Sequence, residues 1–226
     1  MAAQMIVSEF SIGRVSQMTS VIKDSRFLSH HAKVGPHFYS SGRSRGMLIM
    51  MTETHPWYVL TGGPCAGKTT LVREFEADGI KVIHESARVI IEEGLSAGKT
   101  LEEIRADPAA FTAAIIARDV ANLSRHLGTE RVFFDRSILD NIAYHRILNL
   151  TPSAELLAAA ERAAFRKVFL LDLLDYRLDE ARNETPEEAR RIQDALETAY
   201  REYGIPVVKV PVLPVEERVA YVVENL

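Results

Sequence analysis

The decisive stretch is Trp57-Tyr58-Val59-Leu60-Thr61-Gly62-Gly63-Pro64-Cys65-Ala66-Gly67-Lys68-Thr69-Thr70-Leu71-Val72-Arg73-Glu74-Phe75. An apolar, β-rich run passes into a run of good helix formers through Gly62 to Thr69, which has the G-x-x-x-x-G-K-[ST] spacing of a phosphate-binding loop, or P-loop. The chemistry needs that order. Glycines let backbone N–H groups turn inward around an anion, and a helix starting where the loop ends points its positive terminus at the same place. Lys68 is then set to reach the outer phosphates of a nucleotide, and Thr69 to hold Mg²⁺. Candidate nucleotide contacts therefore run from Gly62 through Gly63, Pro64, Cys65, Ala66, Gly67, Lys68 and Thr69 to Thr70.

The whole chain bounds what such a loop can serve. Its 226 residues and 25.3 kDa leave room for one domain with a substantial core. Hydrophobic residues make up 47% and charged residues 26%, the balance of an ordinary soluble globular protein. A net charge of −4, with no basic run interleaved with aromatics, argues against a nucleic-acid partner. Apolar runs such as Val168-Phe169-Leu170-Leu171 are too short to span a bilayer, and the first residues lack the apolar core of a secretory signal, so no stable membrane insertion is expected. The single cysteine, Cys65, rules out an internal disulfide framework or a cysteine zinc cluster and fits a reducing, cytoplasmic compartment.

Residues 1–55 read differently from the rest. Through residue 50, six basic side chains (Arg14, Lys23, Arg26, Lys33, Arg43, Arg45) face two acids (Glu9, Asp24), a balance of +4, so the remainder carries −8. Scattered serines, a linker-like Ser40-Ser41-Gly42-Arg43-Ser44-Arg45-Gly46 and the lack of any sustained period predict a basic, mostly disordered extension. Three origins fit it: an organellar transit segment, a functional basic arm, or sequence upstream of the true start. Met47, Met50 and Met51, just ahead of the first strand, make the last the most economical. The nucleotide-binding domain is then residues 56–226.

From Trp57 onward strand and helix alternate, which predicts an α/β fold whose parallel sheet is covered on both faces. A helix over 68–77 closes at Asp78-Gly79, Lys81 to Glu85 is a second strand, and 86–93 is a helix stopped by Gly94. Gly94-Leu95-Ser96-Ala97-Gly98-Lys99-Thr100 imitates a second phosphate loop but is one residue short and follows a helix. Thr100 and Glu103 read better as a capping box. Asp107-Pro108 opens a long helix with the stripe Ile116, Val120, Leu123 and Leu127, ended by Gly128. Strands at 131–135, 167–171 and 207–210 then alternate with helices at 136–149, at 152–164 after a Thr151-Pro152 cap, and at 215–225. Between the last two strands a Thr185-Pro186-Glu187-Glu188 capping box opens a helix with the stripe Ile192, Leu196, Ala199 and Tyr203, ending at Gly204.

Ligands of open parallel sheets sit beyond the carboxyl ends of the strands. The phosphate loop, Glu85, Asp135-Arg136 and Asp172 all fall there. Asp135 is the natural partner of Mg²⁺ held by Thr69, and it can equally cap the helix that follows. Arg136 can clamp phosphate bidentately or sit in a surface ion pair. Glu85 can take a proton from an acceptor hydroxyl while Arg88, one helical turn on, anchors the acceptor; alternatively it complements a helix dipole. Arg177 and Arg182 lie in an irregular, charge-rich segment that reads either as a lid over a triphosphate or as a solvated charge run. His84, His126 and His145 are isolated and are expected to be structural.

With these residues in place, the chain from about 57 to 226 resembles a P-loop family of kinase-like AAA-domain proteins. It is similar to the ribosylnicotinamide kinase domain of bacterial NAD regulators and, more distantly, to deoxynucleoside and thymidylate kinases. The matching features are Thr61 to Thr70, Glu85 with Arg88, Phe133-Phe134-Asp135-Arg136-Ser137 followed by Asp140 and Tyr144, Tyr176, Asp179 and Arg182, and Val208 to Pro211 followed by Val215-Glu216-Glu217-Arg218. The resemblance implies a P-loop NTPase with a five-stranded parallel sheet in the order 2-3-1-4-5, ATP or GTP with Mg²⁺, Asp135-Arg136 as the D/E-R motif, Glu85 at the acceptor and Arg182 in the lid. Two positions depart from the pattern. Cys65 stands where glycine is common, and Arg118-Asp119 where related kinases often have Gln facing the acceptor base. No second-region sensor or ring-forming arginine finger is found, so a hexameric motor is not expected; a monomer or homodimer is.

The expected function is an ATP-dependent small-molecule kinase that phosphorylates a hydroxyl or phosphate of a nucleoside-like acceptor. Lys68, Glu85, Arg136 and Arg182 are its candidate catalytic residues, Thr69 and Asp135 its metal pair, and Glu85, Arg88, Arg118 and Asp119 its acceptor contacts. The rival is a GTP- or ATP-dependent switch with slow hydrolysis, acting on a protein or membrane partner.

Overall fold

Five short apolar runs build the sheet: β1 (Trp57–Thr61), β2 (Lys81–Ile83), β3 (Val132–Asp135), β4 (Lys167–Leu171) and β5 (Val207–Val210). The computed structural model describes residues 56–125, 130–174 and 185–226. The expectations for residues 1–55, for His126, Leu127 and Gly128, and for Tyr176, Arg177, Asp179 and Arg182 lie outside the described residues. All strand pairs are parallel, in the order β2-β3-β1-β4-β5 that the resemblance implies. β1 is central and buried at every position, as a continuous apolar run requires when both faces are covered.

Side-chain alternation sorts the core into two layers. Tyr58, Leu60, Phe133, Phe169 and Leu171 point to one face and pack against Leu71, Val72 and Phe75 of α1 (Lys68–Ala77) and Val222 of α8 (Val215–Glu224). Trp57, Val59, Phe134, Val168 and Leu170 point to the other. There they meet Leu139 and Ile142 of α5 (Ile138–Ile147), Leu156 of α6 (Ala154–Arg162) and Ile192, Leu196 and Tyr200 of α7 (Pro186–Glu202). A smaller cluster joins Ala87 and Ile91 of α2 (Ser86–Ser96) to Phe111 and Ile115 of α4 (Pro108–Arg125), and α3 (Leu101–Ile104) lies between these helices in the chain.

The capping boxes at Thr100/Glu103 and Thr185/Glu188 form as expected, and Asp107 accepts from the Ala109 and Ala110 amides at 3.0 Å. Several boundaries differ. β2 ends at Ile83, so Glu85 is the residue before α2 rather than part of a strand. Gly94 does not end α2, which runs on to Ser96; a Cβ at Gly94 would lie 2.5 Å from Ile104 Cδ1, so glycine serves close packing against α3 instead of termination. The cap of α6 is Ser153, not Thr151-Pro152, and that of α5 is Ser137, in a capping box with Asp140. On α7 the fully buried ring is Tyr200, while Tyr203 only flanks the core. No helix among the described residues is long and apolar enough to cross a membrane.

Candidate active site

The phosphate loop leaves β1 and turns into α1 through two left-handed residues, Cys65 at φ 64 and Gly67 at φ 78. That conformation is why glycine is common at the Cys65 position: any Cβ there is strained. The other glycines serve close approach. A Cβ on Gly62 would stand 2.8 Å from the Leu171 carbonyl, and one on Gly63 would stand 2.9 Å from the Leu173 side chain and 3.0 Å from the Ala189 carbonyl. Lys68 is buried and curls back to donate to the Gly62 and Gly63 carbonyls at 3.0 and 2.9 Å, so its ammonium sits inside the loop it is meant to serve.

Two residues from distant helices hold the loop in place. Gln193 on α7 accepts from the Gly63 amide at 2.7 Å and donates to the Leu171 carbonyl at 2.9 Å. Arg218 on α8 is buried and donates to the Ala66, Pro211 and Asp172 carbonyls at 2.7, 3.0 and 3.1 Å, tying the loop to the ends of β4 and β5. Neither was placed at the site by the sequence pattern. The available signal was polarity on a buried helix stripe: Gln193 follows the buried Ile192, and Arg218 lies one helical turn before the buried Val222.

Cys65 is only partly buried, at the mouth of the loop. Maleimide labelling of Cys65 should therefore proceed in the nucleotide-free protein and slow by at least about tenfold when ATP fills the loop. Equal labelling rates with and without ATP would remove nucleotide from this loop.

Asp135 ends β3 opposite Leu60 of β1. It is buried, and among the described residues neither carboxylate oxygen has a hydrogen-bond partner. Because Ser137 takes the cap of α5, Asp135 is not a helix cap, and the metal reading remains. Burial, helped by the nearby Glu85 charge, pushes its pKa up to about 6, while Arg136, Lys68 and Arg88 pull it down. A buried carboxylate left unpartnered is costly unless a cation meets it. The residues therefore fit Mg²⁺, which Thr69 and Asp135 would hold. Among the described residues no three His, Cys, Asp or Glu side chains gather into a metal site of their own.

Arg136 is not a surface residue. It adopts φ 67, its amide donates to the Leu60 carbonyl at 2.9 Å, and its guanidinium is enclosed by Glu85 (3.2 Å), Asp140 (3.7 Å) and the Tyr144 hydroxyl (3.1 Å). Burial works to discharge it, but Tyr144, Glu85, Asp140 and Asp135 outweigh that and hold it firmly protonated. Asp140 anchors this group from below. It accepts from the Thr61 hydroxyl at 2.5 Å, the Ser137 amide at 3.0 Å and the Tyr200 hydroxyl.

Glu85 and Arg88 lie within 4.0 Å of each other, and Arg88 Nη2 donates to the Thr69 hydroxyl at 3.2 Å. Glu85, Asp119, Asp135, Arg136, Asn141 and Tyr144 line one cleft of about 40 Å³. Arg118 does not line it: its guanidinium is 2.5 Å from Glu93 on α2. Asp119 does line it and does not pair with Arg118; it accepts from Ser86 at 2.5 Å and from Asn141 at 2.7 Å. Burial raises the pKa of Asp119 to about 6 against those two hydrogen bonds. Asp172, by contrast, meets the site through its backbone carbonyl, which Arg218 holds.

Residues 57–218 match the model of a protein family described as an AAA domain. No curated protein sequence matches the chain. Among solved structures, it is similar to deoxyadenosine kinase from M. mycoides with dCMP and dCDP bound, at 16% identity and a TM-score of 0.50, over 75% of this chain and 97% of that one. A thymidylate kinase from Ehrlichia chaffeensis matches at 14% identity and a TM-score of 0.51, over 75% and 96%. NadR protein in complex with NR matches at 18% identity and a TM-score of 0.53, over 76% of this chain and 49% of that one. At these identities the likeness is one of fold, and this chain spans about half of NadR.

Proposed function

We propose a function on the premise that this chain belongs to the AAA-domain family, whose model it matches over residues 57–218: it is an ATP-dependent kinase of a small, nucleoside-like acceptor. One observation carries the reading. The phosphate loop does not stand alone but is joined, through the Arg88 to Thr69 hydrogen bond, to a cleft that holds a carboxylate beside a guanidinium. A slow-hydrolysing switch needs the loop and a metal ligand; it has no use for an acceptor cleft next to them.

In this reading Glu85 takes the proton of an acceptor hydroxyl as its oxygen bonds to the γ-phosphorus, and the bond from that phosphorus to the bridging oxygen breaks to release ADP. A hydroxyl is favoured over a phosphate acceptor because a phosphate is already ionised and needs no base. Lys68 and Arg136 neutralise charge on the transferred group, and Arg182, outside the described residues, is the further candidate in the lid. Mg²⁺ on Thr69 and Asp135 would supply charge neutralisation across the outer phosphates. Asp119, which lines the cleft, holds the acceptor, with Arg88 beside it against Glu85 and Thr69 rather than on the lining, and at about 40 Å³ the cleft must widen to admit it. Phosphoryl transfer asks the protein mainly for positioning and electrostatics, which this enclosed charge group can provide.

The test is a screen of nucleosides and related polyols with γ-labelled ATP. Label should move to one acceptor class, with ADP formed in step and at a rate well above hydrolysis alone. Release of label only as inorganic phosphate with every acceptor, together with a macromolecular partner bound differently in the di- and triphosphate states, would replace the kinase with the switch.

A further inference from the structure

A second concavity lies between α4 and the connection from α5 to α6. It measures about 650 Å³, within the range of pockets that enclose small organic molecules. Its walls are mostly apolar: Pro108, Phe111 and Ile116 from α4, and Leu148 and Leu150 from the turn after α5. That turn is set by backbone geometry, with Asn149 at φ 53 and the Leu150 amide donating to the His145 carbonyl at 2.8 Å.

Among the described residues, Arg105, the residue that closes α3, is the lining's one arginine or lysine. Its Nε and Nη2 are shut off from water and have no hydrogen-bond partner among the described residues. Of the acids near it in the chain, Glu103 is engaged with the Thr100 amide and Asp107 with the start of α4, while Glu102 is exposed and makes no ion pair with it. Burial without a partner also lowers the pKa of this guanidinium. Such a group costs stability until an anion reaches it.

The anion can be narrowed further. The first amides of α4 are taken by Asp107 at 3.0 Å, and the start of α6, where Ser153 accepts from the Leu156 amide at 3.1 Å, carries Glu155 on the groove lining, a negative charge that disfavours a dianion there. Glu155, the lining's one carboxylate among the described residues, is exposed to water and makes no ion pair with Arg105, so the group left to meet a ligand's charge is the Arg105 guanidinium, with the planar fork of donors that fits a carboxylate, facing an apolar wall. A phosphate dianion would keep half its charge uncompensated there. We propose that this groove binds an apolar monocarboxylic acid, its carboxylate held by Arg105 and its hydrocarbon laid against Phe111, Ile116 and Leu148. The site shares no lining residue with the acceptor cleft and does not depend on the kinase reading.

The test titrates the full chain with decanoate, decanol and decyltrimethylammonium by calorimetry. Decanoate should saturate at one per chain and bind at least about tenfold more tightly than decanol, the preference expected of a charge-assisted pair; the cation should not saturate. Arg105→Met should erase that preference while leaving decanol unchanged. Since the guanidinium has no partner to lose, the same variant should melt no lower than the parent when ligand-free. Ala113→Phe, which fills the groove, should block both ligands. Equal affinity for decanoate and decanol, unchanged decanoate binding in Arg105→Met or Ala113→Phe, or a clear drop in the melting temperature of ligand-free Arg105→Met would each overturn the assignment.

Discussion

Replacing Glu85 by Gln is expected to lower kcat for acceptor phosphorylation by about 10²–10⁴, the span of a general base, while ATP affinity stays within about threefold. The amide keeps the shape of the carboxylate but cannot take a proton, and the phosphate loop is untouched. The pH profile carries a second signature. Glu85 is one of the charges that raise the Asp135 pKa to about 6, so neutralising it must move Asp135 downward. Where residual activity is measurable, its acid limb should shift to lower pH than in the parent. Turnover within a few-fold of the parent would remove Glu85 as the base.

The fold was largely legible because its signals are local. A strand's parity, a capping box or a glycine stop is written within a few residues, and the strand and helix order from Trp57 onward followed from such cues. The misplaced boundaries came where two local cues competed. Gly94 reads as a helix stop until Ile104 is seen packed onto it. Ser137 and Asp135 are both good caps, and only the folded turn shows which one is used.

The site was legible in part for the opposite reason. Its chemistry is assembled from contacts across long stretches of chain, such as Tyr200 to Asp140, Gln193 to Gly63 and Arg218 to Ala66. A polar residue on an apolar stripe signals that a partner exists but not where it is. Arg118 and Asp119 show the limit most simply: adjacent helix positions diverge by about a quarter turn. One therefore meets Glu93 and the other enters the cleft. Nothing in the local pattern says which.

Asp135→Asn should trade catalysis for stability. Its folded pKa of about 6 against an ordinary 3.8 means that the folded state binds the proton more tightly, so stability is greatest below the unfolded value and is lost as pH rises through 6. At neutral pH the ionised, partnerless carboxylate costs on the order of 3 kcal/mol. Asparagine removes the charge but leaves a polar group without a full set of partners, so only part of this returns, raising the melting temperature by a few degrees at pH 7.5 in nucleotide-free protein. Near pH 4 the parent is itself protonated at this position and the two proteins should melt together. Mg²⁺-dependent turnover should fall by about 10³, since a neutral amide replaces an anionic metal ligand whose charge stabilisation is worth several kcal/mol. Added Mg²⁺·ATP should likewise stabilise the parent far more than the variant. A variant that melts lower at pH 7.5, or whose gain is the same at pH 4, would show that Asp135 is not the strained charge inferred from its unpartnered oxygens. Full activity in the variant would place the metal elsewhere. A gain in stability joined to a loss of turnover is the behaviour of a carboxylate kept buried for the ion it receives.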